Sequence, residues 1–100
     1  MRYKMTGGAI VDTDRSAQSW QEASDWNGRN LISRATGEQF THETLYRSQK
    51  GNYYVVHESD YQGTRATAEW ISNNEAVAWL LLNDHPVPDD LDSAAKEIME

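Results

Sequence analysis

The stretch Thr41 to Ser59, THETLYRSQKGNYYVVHES, constrains the fold more than any other part of the chain, because it reads as two strands folded about Lys50-Gly51. Glycine accepts the positive φ of a tight hairpin turn, so a two-residue loop at Lys50-Gly51 sets Gln49 opposite Asn52. Alternation along each strand then sorts the side chains into two faces. Phe40, His42, Thr44, Tyr46 and Ser48 are expected to share one face with Tyr53, Val55, His57, Ser59 and Tyr61. Thr41, Glu43, Leu45 and Arg47 are expected on the other, with Tyr54, Val56, Glu58 and Asp60. A second turn at Gln62-Gly63 returns Arg65 to Ile71 as a third strand, setting Arg65 opposite Asp60, Ala68 opposite His57 and Trp70 opposite Val55. The first face is the richer in bulky apolar groups and is therefore predicted to lie under the helix that follows. An error of one residue in either turn inverts every one of these assignments.

Ser72 to Asn83 is the clearest helix. Ser72 followed by Glu75 forms a capping box just before the run Ala76 to Leu82, which is apolar almost all round and so calls for cover on more than one side. Pro86-Val87-Pro88 makes a stiff link, after which Asp89, Asp90 and Asp92 occupy the first turn of a last, acidic helix, where the helix dipole favours negative charge. Upstream, Arg2–Met5 and Ala9–Val11 are extended and separated by Gly7-Gly8, and Asp12-Thr13 caps a helical turn through Ser16 to Ser19. From Ser19 to Trp26 two periods compete: Trp20, Glu22, Ser24 and Trp26 alternate as a strand does, whereas Ala17, Trp20 and Ala23 or Ser24 recur at helical spacing, and Asn27-Gly28 followed by Leu31-Ile32, a turn and a returning strand, favours the strand. The expected fold is one α+β domain over residues 1–100. It has an antiparallel meander of about four strands, packed by one buried helix and a C-terminal acidic helix.

Hydrophobic residues make up only 38 % of the chain, but four Trp and five Tyr supply large areas to bury. No cysteine is present, which excludes disulfides and thiolate metal sites and suits a reducing cytoplasm. No apolar run is long enough to cross a bilayer and no secretory signal is evident, so a soluble, cytoplasmic protein is expected. The net charge of −7 is unevenly placed: residues 1–50 carry seven Lys/Arg and six Asp/Glu, residues 51–100 two and ten. Such an acidic half disfavours duplex nucleic acid; it suits a basic protein partner, although plain solubility accounts for a charge of this size without one.

Three constellations carry chemistry. His42 and His57, on one expected face, have the residue type for a metal pair or a proton shuttle, but no third ligand joins them, and hydrogen bonding to Thr44 and Ser59 accounts for both. Glu43 and Glu58, expected to face each other, form either an acid–base pair or two solvated edge charges steadied by Arg47. Trp20, Trp26, Tyr53, Tyr54 and Tyr61 exceed what one small core readily hides. They suit the anchors of an interface, or a platform for unpaired bases if Arg29, Arg34, Arg47 and Lys50 form a groove, or else they are partly buried core residues with a wet hydroxyl or indole edge. The outward sheet face, with Glu43, Arg47, Tyr54 and Glu58, is the expected binding surface, joined by Trp20, Trp26 and Tyr61. The loop SRATGE lacks the Lys-Ser/Thr ending of a phosphate loop, and no cofactor or metal is implied.

Trp26-Asn27-Gly28, Ile32-Ser33, Thr36-Gly37, the run His42 to Ser48, Gly51 with Tyr53-Tyr54, Tyr61-Gln62-Gly63, Glu69 to Ser72, Glu75-Ala76 and Trp79 to Asn83 together resemble a family of small, uncharacterised bacterial proteins. The likeness covers most of the chain and implies a shared fold. Some relatives travel on phages and plasmids, which implies an accessory or anti-defence role on a mobile element. No catalytic residue carries over from it. The reading favoured by the residues is a small acidic, non-enzymatic binding protein that engages a protein partner, with a homodimer through the Ser72–Asn83 helix if that helix keeps an uncovered apolar face. The alternative is a small hydrolase or metal-dependent enzyme using His42/His57 or Glu43/Glu58.

Overall fold

The computed structural model describes residues 1–61 and 63–99. Among these residues, eight strands run β1 (Arg2–Lys4), β2 (Ile10–Asp12), β3 (Gln18–Gln21), β4 (Ser24–Trp26), β5 (Leu31–Ser33), β6 (Thr41–Arg47), β7 (Tyr53–Ser59) and β8 (Thr67–Trp70). Two helices follow, α1 (Asn73–Leu82) and α2 (Asp92–Ile98), with short 3-10 turns at Thr13–Arg15 and Asp89–Leu91. The main sheet is antiparallel with order β3-β6-β7-β8, while β1-β2 and β4-β5 form separate two-stranded hairpins. The α+β class is as the sequence predicts.

The central hairpin forms, but one residue out of its expected register. Its loop is Gln49-Lys50-Gly51, closed by a Ser48–Asn52 pair in which Ser48 N–H donates to Asn52 O at 2.8 Å. Gly51 takes φ +88°, the left-handed residue of a three-residue loop. The longer loop sets Leu45 opposite Val55, Tyr46 opposite Tyr54 and His57 opposite Glu43. β8 is displaced in the same sense, pairing Trp70 with Tyr54 and Ala68 with Val56. Arg65 lies outside any strand, so its opposition to Asp60 is not made. The expected Gln62-Gly63 turn rests on Gln62, which lies outside the described residues.

β6 and β8 therefore change faces, while Tyr53 and Val55 of β7 stay under the helix as expected. Leu45, Tyr53 and Val55 lie under the helices with Trp20, packed on Ala76, Val77, Trp79 and Leu80 of α1 and on Leu91 and Ala94 of the C-terminal segment. Tyr46, expected there, is on the opposite face with Tyr54, Val56, Ala68 and Trp70, where Met5 and Val11 from the β1-β2 hairpin cover it. The sheet is thus the middle of three layers, and the second face, expected from the sequence to be open, is covered over Tyr54 and Val56. Aromatic packing holds that layer: Tyr46 stacks on Tyr54 at 5.2 Å, and Trp70 meets Tyr54 edge-on at 5.7 Å.

Helix α1 starts as its sequence dictates. Ser72 Oγ accepts from Glu75 N–H and Glu75 Oε1 accepts from Ser72 N–H, each at 3.1 Å. Its cover is the sheet on one side and α2 on the other, which leaves Ala78, Leu81 and Leu82 exposed as one stripe at helical spacing. The Trp20–Trp26 segment is strand, as its alternation predicts, but split by Glu22-Ala23 into an edge strand of the main sheet and the first arm of the β4-β5 hairpin. The helical turn expected through Ser16 to Ser19 is shorter. Asp12 Oδ1 accepts from Asp14 N–H and caps a 3-10 turn that ends at Arg15, so Gln18 onward is extended.

Candidate functional site

The register separates the paired residues that the sequence offers for catalysis. His42 faces Glu58 and His57 faces Glu43, so the two histidines point to opposite sides of the sheet and the two glutamates are not opposed. The physical reason is the extra loop residue, which moves one strand by half a side-chain period.

Each histidine finds a carboxylate instead. His42 Nδ1 lies 3.0 Å from Glu22 Oε2 and its Nε2 2.9 Å from Asp60 Oδ2. A carboxylate only accepts, so satisfying both contacts requires both ring nitrogens to donate, which is the imidazolium form. The Glu22 hydrogen bond, and then that of Asp60, hold the His42 pKa above the ordinary 6.5 against the opposing effect of burial. A ring with both nitrogens committed has no lone pair left for a metal or for abstracting a proton. Glu22 is fixed in turn, its Oε1 accepting from Glu43 N–H at 2.6 Å at the end of the β3-β6 ladder. The group is an electrostatic clasp across β3, β6 and the end of β7.

His57 Nδ1 is 3.4 Å from Glu43 Oε2, and the other oxygen of Glu43 accepts from the Trp79 indole N–H at 3.1 Å. Trp79 is buried and lies parallel to the His85 ring at 6.2 Å, with His85 Nε2 2.6 Å from Gln21 O. Glu43 thereby ties β6 to α1. Among the described residues, no group of three His, Cys, Asp or Glu is placed to hold a metal ion. The sequence reading missed Glu22, Asp60, Trp79 and His85. Only Glu22 had a usable signal, since pairing Trp20 with Leu45 brings Glu22 level with Glu43.

The clasp has a testable pH signature. Because folding raises the His42 pKa, its contribution is full below the unfolded value of about 6.5 and is lost as pH rises through the higher folded value. The stability advantage of wild-type protein over His42→Gln in urea should be largest below about pH 6.5 and shrink as pH rises through the folded value. A stability difference that does not change with pH would remove the imidazolium assignment.

The aromatics divide sharply. Trp20, Tyr53 and Tyr54 are buried, so three of the expected interface anchors are core residues. Arg47 and Glu43 are half-buried and internally engaged, while Glu58 stays exposed. Trp26 and Tyr61 are the expected anchors that remain outside, at 65 % and 58 % exposure. Tyr61 packs on Phe40 at 5.3 Å, tilted. Trp26 has its cross-strand partner in Leu31, itself 60 % exposed. The basic groove needed for stacking unpaired bases does not assemble, because Arg34 and Arg47 are both taken up in ion pairs.

What sets the Trp26–Leu31 pair apart is its mounting. Asn27 Oδ1 accepts from the N–H groups of Arg29 and Asn30, both at 2.9 Å, so the turn is held by its own side chain with Gly28 at φ +98°. At the base, Arg34 forks onto both oxygens of Asp25 at 2.7 and 2.8 Å and reaches Asp84 at 2.5 Å. That fork draws the Asp25 carboxyl below its usual pKa. Ala23 N–H donates to Asn83 Oδ1 at 2.8 Å, and buried Asn83 donates back to Trp79 O. The hairpin is therefore an arm with a pinned root at the C-terminus of α1 and an apolar pair near its tip.

Compared with known protein families, with curated proteins and with solved structures, the chain has no match.

Proposed function

We propose that this chain is a non-enzymatic binding module that engages a basic protein partner through the β4-β5 arm, and that it serves a mobile element as an inhibitor or anti-defence factor. The observation that supports the reading is the Trp26–Leu31 pair, two large apolar side chains left in water on a hairpin whose turn and root are both fixed by side-chain hydrogen bonds. An anchor held in place before binding loses less conformational freedom on binding. Tryptophan is one of the residue types enriched among such anchors. The net charge of −7 favours a partner of opposite sign. The mobile-element role rests on the family resemblance. Against the hydrolase reading stand the ring of His42, whose two nitrogens both face carboxylates, and Glu43, which is taken up by the Trp79 indole and His57.

The test is affinity capture from a bacterial lysate at low salt, with wild-type chain, Trp26→Ala and Ile10→Ala side by side. Trp26→Ala should fold normally and lose at least about tenfold in affinity for one basic protein, whereas Ile10→Ala should keep it. Capture that is indifferent to Trp26 overturns the assignment of the arm. A second copy of the chain is the other partner in the proposal, docking on the Ala78, Leu81 and Leu82 stripe. Sedimentation showing a monomer at high concentration would remove that part.

A further inference from the structure

The β1-β2 hairpin does not cover the whole back of the sheet. Between it, the 3-10 turn and the β6-β7 loop lies a cleft of about 510 Å³, inside the range of roughly 300–1,000 Å³ typical of small-molecule sites. Buried Tyr54 and the partly buried Trp70 line it, held edge-to-face with ring planes at 86°. Tyr54 is fully buried, its hydroxyl 2.7 Å from Ser16 Oγ and its ring packed between Tyr46 and Trp70, so it forms the floor that fixes Trp70, and Trp70 is the aromatic surface left for a ligand. Ile10 adds an exposed apolar wall on the hairpin side.

The charge of the cleft runs against that of the molecule. Three of the nine basic residues, Arg2, Arg15 and Lys50, line it, against a single acid, Asp12. Asp12 is itself engaged by Asp14 N–H at 3.1 Å and by Arg2 Nε at 3.7 Å. Arg15 and Lys50 have no carboxylate within ion-pair distance among the described residues, although the chain carries sixteen acids. The two rims that bear them are tied together, since Gln49 Nε2 donates to Arg15 O at 2.6 Å across the end of the cleft. A concave, aromatic-lined site with convergent cations in an acidic protein fits a flat ring that carries an anionic group. Arginine and lysine both suit phosphate oxygens, and Asn52 on the loop rim supplies an amide for a base edge.

We propose that this cleft binds a mononucleotide, with its phosphate between Arg15, Lys50 and Arg2 and its base against Trp70 and Ile10. The site is separate from the β4-β5 arm and does not depend on the partner assigned to it.

Titration of the whole chain with AMP, followed by tryptophan fluorescence and amide NMR, tests this, with adenosine and inorganic phosphate as separate arms. AMP should saturate below about 1 mM and shift amide signals around Arg15, Lys50 and Trp70, and each half-ligand should bind at least tenfold more weakly. Arg15→Gln with Lys50→Gln, both exposed and without side-chain partners, should keep the melting temperature and weaken AMP at least tenfold. No saturation by AMP, GMP or UMP at that concentration overturns the proposal. So does AMP binding that the double variant leaves unchanged, or phosphate binding as tightly as AMP.

Discussion

Replacing Leu45 by alanine should lower the unfolding free energy by about 3 kcal/mol and the melting temperature by roughly 15 °C. Leu45 is fully buried at the centre of the main sheet, between Trp20 on β3 and Val55 on β7, beneath α1. Truncation removes its share of burial and leaves a cavity that two flanking strands and a docked helix cannot close. The variant also decides the register. With Gln49 opposite Asn52, Leu45 would lie on an outward face and its loss would be nearly silent. With Ser48 opposite Asn52 it is core. Urea unfolding with an unchanged slope and a midpoint shifted by that amount is the expected result, and a loss under about 1 kcal/mol would restore the two-residue turn.

The reason the register escaped the sequence lies in four residues. Tyr53, Tyr54, Val55 and Val56 are all buried, because helices cover one side of β7 and the β1-β2 hairpin covers the other. A strand buried on both faces reads as a continuous apolar run, and the alternation that would fix its parity disappears. The turn then had to decide alone, and Lys50-Gly51 fits a two-residue loop as well as the last two residues of a three-residue loop. The covering hairpin was equally hard to foresee, since only Met5 and Val11 of it are buried.

Signals confined to a few neighbouring residues fared better. The Ser72–Glu75 box and the Asn27-Gly28 turn are closed by their own side chains, so no tertiary partner is needed to read them. The candidate site depends on contacts of long separation. Arg34 with Asp84, Ala23 with Asn83 and His42 with Asp60 join segments that no spacing rule connects. Trp26 is exposed because the β4-β5 hairpin pairs only with itself and stands outside both core clusters. Trp20, six residues earlier, was not separable from it by type or pattern.

Asp90→Ala should cost about 2 kcal/mol, more than a surface carboxylate ordinarily does. In the sequence Asp89, Asp90 and Asp92 look interchangeable, all three placed to favour the dipole of the last helix. The structure gives Asp90 a different task. Its Oδ2 accepts from the Tyr53 hydroxyl at 2.8 Å and sits 3.2 Å from Arg47 Nε, linking the segment before α2 to β6 and β7. Arg47 Nε is buried and lies off the axis for a hydrogen bond, so what Asp90 provides is its counter-charge. Removing the carboxylate leaves a buried donor on Tyr53 and an uncompensated guanidinium in one step. Tyr53→Phe alone should cost about 1 kcal/mol, and the double variant less than the sum of the two singles, because both remove the same hydrogen bond. Asp90→Asn separates the contributions, since it keeps an acceptor for Tyr53 but no charge for Arg47. Burial, followed by the Asp90 contact, also raises the Tyr53 pKa above its ordinary 10. The wild type therefore loses this contribution as pH climbs past that value, and Tyr53→Phe lacks that alkaline component. Additive single-variant losses would show that Tyr53 and Asp90 act separately, and the C-terminal segment would then be held by the apolar packing of Leu91, Ala94, Ala95 and Ile98.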